Sequence, residues 1–144
     1  MSRTLADLLD EYDYDKIDIG SIFGFTKILS IEDMDNYANL TGDYNPLHCD
    51  EEYALSNNFK TRVVHGMLAG SLFSTLVGMI CPGKKNLYLT QNLKFKSPIY
   101  PGSELIVRGE IVSKIDSIKA IVINTQILAD NKIVIEGEAK VKII

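Results

Sequence analysis

The longest hydrophobic stretch of the chain lies in its middle. From residue 66 to residue 80 nearly every position is apolar or small, and the stretch ends at Pro82-Gly83. A helix that is apolar on all sides is a buried helix, and this one is too short to span a bilayer. We therefore predict one central helix in the core of the protein.

Beyond this stretch the hydrophobic period changes from helical to alternating. From Leu87 to Phe95 every second residue is apolar except Gln91, and the residues between them are polar. This alternation predicts a half-buried strand. Short turn sequences then separate three further strands, so neighbouring strands should pair as antiparallel hairpins. These strands are expected near 104–115, 118–129 and 132–143, with turns at Asp116-Ser117 and Asp130-Asn131.

The part of the chain before the central helix combines one strand with two helices. Residues 21–29 predict a strand in which Gly24 marks a bulge or a close approach of another backbone. A capping-box-like start at Ser30 opens a helix that Gly42 should close. A second helix is expected from Pro46 to about Ser56.

Helices early, an antiparallel sheet late and one buried helix between them make the predicted fold class α+β. Residues 1–20 are polar and acidic, and we expect them to be a peripheral extension of a single domain that spans residues 21–144. The chain has 144 residues and 46% hydrophobic content. That is enough for one core of ordinary size.

Charge and cysteine content narrow the class of protein. A formal net charge of −4 argues against a nucleic-acid surface, which needs a basic face. The N-terminus lacks the apolar core of a signal peptide, and no apolar run reaches the length of a membrane span. Cys49 and Cys81 are too few for a disulfide framework or a zinc site. These features predict a cytoplasmic protein that does not bind membranes.

Candidate chemistry concentrates in two short motifs. In the first, Asp43 and His48 flank Asn45-Pro46, a pair that starts helices with Asn as N-cap and Pro at the first helical position. A turn followed by a new helix can bring this carboxylate and this imidazole around one small volume, as acid–base catalysis requires. In the second, residues 64–67 read Val-His-Gly-Met and open the central helix.

The two motifs, in this order and at this separation, resemble those of the MaoC-like hydratases. These are the (R)-specific enoyl-CoA hydratase group of the hot-dog superfamily, and they carry Asp-x-Asn-Pro-x-His followed by a Val-His-Gly-Met helix start. The resemblance continues through Pro82-Gly83 and into residues 88–95, and it covers most of the chain from about residue 21. It implies a hot-dog fold, in which an antiparallel sheet wraps around one long buried helix.

The resemblance also implies an activity and its partners. The expected reaction is the reversible (R)-specific hydration of a trans-2-enoyl-CoA thioester to an (R)-3-hydroxyacyl-CoA, without a cofactor or a metal. Relatives of this kind pair edge to edge with active sites at the interface, so a homodimer or a higher homo-oligomer is expected. Coenzyme A phosphates need basic side chains, but scattered lysines are usually only a solvated face, and none is assigned.

Each candidate site residue has an expected role. Asp43 and His48 are the expected catalytic dyad, with Asp43 ionised and His48 as proton shuttle because imidazole titrates near neutrality. The resemblance implies that the Gly66 amide, at the positive end of the central helix, holds the thioester oxyanion. It also implies that Ser71 lies near the site, although Ser71 could equally bond the carbonyl one turn earlier. Two supporting residues are also expected. Asn45 should cap the helix that begins at Pro46, and His65 should cap or brace the start of the central helix.

Three other functions remain open at this point. A hot-dog acyl-thioester hydrolase would share the fold and substrate but release a thiol. A 3-hydroxyacyl-ACP dehydratase would use the same dyad with acyl carrier protein as the thiol carrier. More distantly, His48, Asp50 and His65 have the composition of a 2-His-1-carboxylate iron site in an oxygenase.

Overall fold

Six strands form one antiparallel sheet in the computed structural model, which describes residues 9–144. The strands are β1 Ile22–Ile28, β2 Asn86–Gln91, β3 Lys94–Phe95, β4 Glu104–Ile115, β5 Ala120–Ala129 and β6 Lys132–Ile143. Residues 1–8 of the predicted extension lie outside the described residues. The order across the sheet is β1-β4-β5-β6-β2, and the short β3 pairs with β6.

The sheet follows the predicted strands closely where the period-two pattern is strong. The long hairpins β4–β5 and β5–β6 turn where polar residues interrupt the pattern, and at the second turn Asp130 and Asn131 take positive φ angles. Their inner faces carry isoleucines and valines that are almost fully buried. The predicted α+β class is confirmed.

Gly24 allows β1 to lie flat against β4. A Cβ at this position would stand 2.4 Å from the carbonyl oxygen of Val107, closer than side-chain carbons approach a backbone oxygen. The β1–β4 register runs without a shift. Of the two predicted reasons for this glycine, the close approach is therefore confirmed and the bulge is wrong.

The first helix, α1 (Ile31–Thr41), begins and ends as its sequence predicts. Ser30 and Asp33 form a reciprocal capping box, and Gly42 closes the helix in the left-handed conformation at φ 81°. Met34 and Ala38 bury one side of α1 in the core. The first motif begins directly after this end of α1, at Asp43.

The predicted second helix from Pro46 to Ser56 is wrong, because two shorter helices replace it. These are α2 (Pro46–Cys49) and α3 (Glu51–Ser56). Asp50 between them is extended, with φ −126° and ψ 110°, and its carboxylate accepts the N–H of Tyr53. Aspartate is among the best N-cap residues, so Asp50 starts a new helix instead of continuing the old one.

The central helix is formed by α4 (Gly66–Gly70), α5 (Leu72–Thr75) and one turn of π-helix (Leu76–Ile80). Phe73, Leu76 and Val77 are almost fully buried against the sheet. The prediction that this helix is buried on all sides is wrong, since Met67 is 59% exposed and Ser71 and Ser74 are also exposed. One sheet covers only one side of a helix, and these three residues share the opposite stripe.

The segment from residue 87 to 95 buries a different face from the one predicted. It is two strands, and in β2 the side chains of Leu87 and Leu89 are exposed while Tyr88 packs into the core. The β2–β6 pairing shifts register between Tyr88 and Thr90. Within residues 9–144, β2 is a terminal strand of the sheet, so the exposed leucines lie on an edge strand.

Residues 9–20 lie along the far end of the central helix. The N–H of Asp10 donates to the Met79 carbonyl oxygen at 2.8 Å, and Glu11 forms a bridge with Gly83. Ile17 is 4% exposed and joins the core beside Val77. None of the helices in residues 9–144 is long and apolar enough to cross a membrane.

Candidate active site

The turn between α1 and α2 sets the position of the Asp43 carboxylate. One carboxylate oxygen, Oδ1, accepts the backbone N–H of Asn45 at 3.2 Å. Asn45 in turn caps α2, because its own Oδ1 accepts the N–H of Leu47 at 3.0 Å. The predicted capping role of Asn45 is confirmed. The second oxygen of Asp43, Oδ2, faces His48.

The His48 imidazole is held in one tautomer by a backbone carbonyl. Its Nδ1 lies 2.7 Å from the carbonyl oxygen of Val63. A carbonyl oxygen only accepts, so Nδ1 carries the proton, and the lone pair of neutral His48 is on Nε2. Nε2 lies 4.0 Å from Oδ2 of Asp43. Two hydrogen-bond acceptors thus face each other across a gap of one small molecule.

Residues 62–64 brace α2 from behind. The N–H of Val63 donates to the Leu47 carbonyl oxygen at 3.1 Å, and the N–H of Val64 donates to Ile99 at 2.8 Å. The guanidinium of Arg62 donates through Nε to the His48 carbonyl oxygen at 2.6 Å and through Nη2 to the carboxylate of Asp35. The guanidinium of Arg62 is therefore engaged in holding the turn.

His65 is a buried brace. Only 2% of this residue is exposed, and its Nε2–H donates to the backbone carbonyl oxygen of Asp43 at 3.1 Å. Its ring stacks on His48 with centroids 4.0 Å apart and meets the Tyr37 ring edge-on at 4.8 Å. His65 occupies the N-cap position of α4, but its side chain makes no capping hydrogen bond.

Burial favours the uncharged form of His65. The loss of solvation lowers the pKa of this imidazole below its ordinary value, and the hydrogen bond to Asp43 opposes that shift only in part. Its Nδ1 is buried and has no hydrogen-bond partner within residues 9–144. That nitrogen carries the lone pair of the neutral ring, which costs less to bury unpaired than an N–H donor or a charge.

The dyad and the start of the central helix border one cavity of about 510 Å³. Its polar end is formed by Asp43 and His48, and most of its other walls are apolar. A small polar end and apolar walls are typical of pockets that bind organic ligands. The remaining lining residues are Phe59, Val63, Val64, His65, Gly66, Met67, Phe95, Lys96, Ser97, Pro98, Ile99 and Ile135.

Gly66 brings a helix start to this cavity. It is the first residue of α4, so its N–H has no acceptor within the helix and lies at the positive end of the helix dipole. A Cβ at this position would stand 2.9 Å from the Phe95 ring. Only glycine therefore lets Phe95 and the helix backbone approach this closely.

Ser71 lies one turn further along the helix and is not among the residues that line the cavity. Its hydroxyl donates to the Leu68 carbonyl oxygen at 2.6 Å, and the residue is exposed. The structure thus brings together Asp43, His48, Asn45, His65 and Gly66 and leaves Ser71 outside that group. The sequence did not single out the Val63 carbonyl or Phe95, because a backbone acceptor and a long-range wall leave no local pattern.

Among residues 9–144, the three side chains that could share a metal ion are Asp43, His48 and His65, whose ligand atoms lie within 4.8 Å of one another. Asp50, which the oxygenase hypothesis required, instead caps α3. The two imidazole planes are inclined by only 26°. Lone pairs lie in the ring planes, so two stacked rings do not point at one ion, and this geometry disfavours the 2-His-1-carboxylate site.

Comparison with known proteins identifies several relatives of this chain. Residues 21–132 match the family model described as MaoC like domain. The (R)-specific enoyl-CoA hydratase of Rhodospirillum rubrum is 34% identical over 137 residues, which are 95% of this chain and 94% of that protein. The mitochondrial 3-hydroxyacyl-[acyl-carrier-protein] dehydratase of Arabidopsis thaliana is 40% identical over 88 residues, which are 61% of this chain and 52% of that protein.

Among solved structures, the (R)-hydratase from A. caviae involved in PHA biosynthesis superposes with a TM-score of 0.86. It is 33% identical, and the match covers 89% of this chain and 98% of that one. This likeness over most of the chain confirms the hot-dog fold that the two motifs implied.

Because His65 is buried and uncharged, protein stability should depend on pH near neutrality. The lowered pKa means that the unfolded chain binds a proton on this residue before the folded one does. The free energy of unfolding should therefore decrease as the pH falls below about 6.5, the ordinary histidine pKa. Urea unfolding between pH 7.5 and 5.5 measures this slope.

His65→Phe keeps a ring of similar size and removes the titrating group. We expect a flatter dependence of unfolding free energy on pH in this variant than in the unmodified protein. Equal slopes in the two proteins would show that His65 does not titrate with a lowered pKa.

Proposed function

The chain belongs to the MaoC-like domain family, and we propose that it adds water to a trans-2-enoyl-CoA thioester to give an (R)-3-hydroxyacyl-CoA. The reverse reaction eliminates water from the 3-hydroxyacyl thioester, so the enzyme is classed as a hydro-lyase. One observation carries the proposal. Nε2 of His48 and Oδ2 of Asp43 are 4.0 Å apart at the polar end of an otherwise apolar cavity.

This gap matches a single water molecule. A water oxygen about 2.8 Å from each acceptor spans the 4.0 Å gap with an angle of about 90°, somewhat smaller than that between the two O–H bonds of water. Both acceptors are held from behind, His48 by Val63 and Asp43 by Asn45. The water would therefore donate one hydrogen to each residue and direct a lone pair into the cavity.

During hydration one residue must accept a proton from the water and give a proton to C2. As the water oxygen bonds to C3 of the enoyl group, His48 Nε2 accepts a proton, and the π electrons move toward the thioester carbonyl. The imidazolium then gives a proton to C2, which completes the addition of water across the double bond. The carboxylate of Asp43 orients the water and stabilises the transient imidazolium.

The helix start supplies the complementary charge. The Gly66 N–H borders the same cavity as the dyad and points from the positive end of α4. A thioester oxygen that accepts from this amide would be stabilised as it becomes enolate-like. Ser71 is not given a role in this step, because it lies outside the cavity.

Coenzyme A is the carrier that we propose. The match to the hydratase relative covers 94% of that protein, whereas the matches to two acyl-carrier-protein dehydratases cover 52% and 74% of those proteins. We also propose a cytoplasmic location, because two cysteines are too few for the disulfide framework of a secreted protein.

Incubation with crotonyl-CoA tests the function directly. We expect the conjugated enoyl absorbance to decrease without release of free thiol. Coupling the product to an S-specific 3-hydroxyacyl-CoA dehydrogenase should give no signal, because the product has R configuration. Thiol release would instead identify a thioesterase, and faster turnover of crotonyl-ACP would identify acyl carrier protein as the carrier.

Asp43→Asn and His48→Gln test whether the two residues share one water. Asp43→Asn preserves the oxygen that accepts from Asn45, so the turn should remain intact while the negative charge is lost. Each single change should lower kcat by about 100-fold or more. The double variant should lose little more than the worse single variant, since residues that act as a unit are not additive.

Thermal melts beside the rate measurements provide the control for this pair. Substrate binding should persist in all three variants, because neither side chain is proposed to hold coenzyme A. Variants that melt early but turn over normally when folded would show that Asp43 and His48 only stabilise a corner of the chain.

We further propose that the enzyme is a homodimer formed through the β2 edge of the sheet. β2 is a terminal strand, and Leu87 and Leu89 on it are 52% and 43% exposed. An open edge with exposed leucines invites strand pairing with a second copy. This edge is also the one next to β3, whose Phe95 lines the cavity.

Light scattering after size-exclusion chromatography measures the oligomeric state. The unmodified protein should have the mass of a dimer, and the double variant Leu87→Lys with Leu89→Lys should have that of a monomer. Ile22→Lys is the matched control, because Ile22 is 71% exposed on the opposite edge strand β1. Dissociation by Ile22→Lys, with a dimer retained in the leucine variant, would place the interface on β1.

A further inference from the structure

Two side chains from the β3 region rest directly on the backbone of the central helix. Phe95 covers Gly66, where a Cβ would stand 2.9 Å from the ring, and Leu93 covers Gly70, where a Cβ would stand 3.0 Å from a Leu93 methyl. The glycines are one helical turn apart, and the two covering residues are two apart on an extended chain. Two residues of extended chain and one turn of helix span similar lengths, so both side chains can contact the helix backbone at once.

Only one of these two contacts borders the cavity. Phe95 and Gly66 line it together with the dyad, whereas Leu93 and Gly70 do not. The Phe95 ring thus forms a wall directly beside the helix start that presents the Gly66 N–H. The contact between Leu93 and Gly70 is a structural equivalent outside the site.

The position of this wall relative to the substrate follows from the proposed function, on which this inference rests. The thioester oxygen lies at the Gly66 N–H, and C3 lies at the water between Asp43 and His48. C1 and C2 must then lie between these points. The Phe95 ring, which contacts the residue holding the oxygen, flanks C1 and C2 rather than the far end of the acyl chain.

We propose that Phe95 determines specificity at C2: it admits enoyl thioesters with hydrogen at this carbon and excludes those with a methyl branch. A methyl group on C2 would meet the ring face or edge. A pocket typically discriminates one such group by about 10- to 200-fold in kcat/KM.

The backbone around Phe95 is fixed well enough for the ring to act as a wall. Phe95 pairs with Ile135 of β6, and the N–H of Lys96 donates to the Val134 carbonyl oxygen at 2.8 Å. The Lys96 ammonium also contacts Glu136 at 3.3 Å. The strand therefore cannot withdraw without breaking its pairing to β6, and a branched substrate would have to displace the ring itself.

The same region tolerates removal of the ring. Phe95 is 53% exposed in the single chain and is not part of the buried core, so Phe95→Ala should fold. Leu93→Ala removes the equivalent contact on Gly70 and is the matched control. Phe95→Leu provides an intermediate size.

The test compares crotonyl-CoA with its 2-methyl analogue, (E)-2-methylbut-2-enoyl-CoA, by loss of enoyl absorbance. The unmodified enzyme should strongly prefer crotonyl-CoA. Phe95→Ala should lower the ratio of the two kcat/KM values by about tenfold or more, and Phe95→Leu by less. Leu93→Ala should leave the ratio unchanged, whatever it does to stability.

Each result decides the question. An unchanged ratio in Phe95→Ala, or an equal shift in Leu93→Ala, would overturn the role of Phe95 while leaving the proposed hydration intact. If the unmodified enzyme does not hydrate crotonyl-CoA, the proposed function fails, and the assignment of Phe95 fails with it.

Discussion

The hydrogen bond from His48 Nδ1 to the Val63 carbonyl oxygen is the constraint on which the site depends. At 2.7 Å it assigns the proton of the neutral imidazole to Nδ1 and leaves Nε2 as an acceptor toward Asp43. With the other tautomer, an N–H would point at the carboxylate and the two groups would bind each other. The donor assignment keeps the gap between them open for a third molecule.

Two further side chains hold the segment that carries Asp43 and His48 against its neighbours. Arg62 ties the His48 carbonyl to α1 through Asp35, and His65 ties the Asp43 carbonyl to the start of the central helix. These are side chains that bind main-chain oxygens, not substrate. A charged residue near an active site is therefore weak evidence of ligand binding unless its own partners are known, and Arg62 shows why.

Local patterns in the sequence predicted the elements that depend on local interactions. The capping box at Ser30, the end of α1 at Gly42 and the long hairpins after residue 104 are confirmed because caps, turns and alternation are encoded by near neighbours. The error in β2 is of another kind. Periodicity shows that Leu87 and Leu89 share a face with each other, but only the sheet decides that this face is open and that Tyr88 points inward.

The candidate site divides in the same way. Asp43, Asn45, His48, His65 and Gly66 are close in sequence, and two motifs were enough to find them, whereas Phe95 reaches the cavity from a strand about 30 residues later. The proposed roles follow this division. The local motifs supply the acid–base pair and the helix amide, and the distant strand supplies the wall beside them. Substitutions at Phe95 can then change which substrate is accepted without moving the His48 tautomer, because the two depend on different backbone contacts.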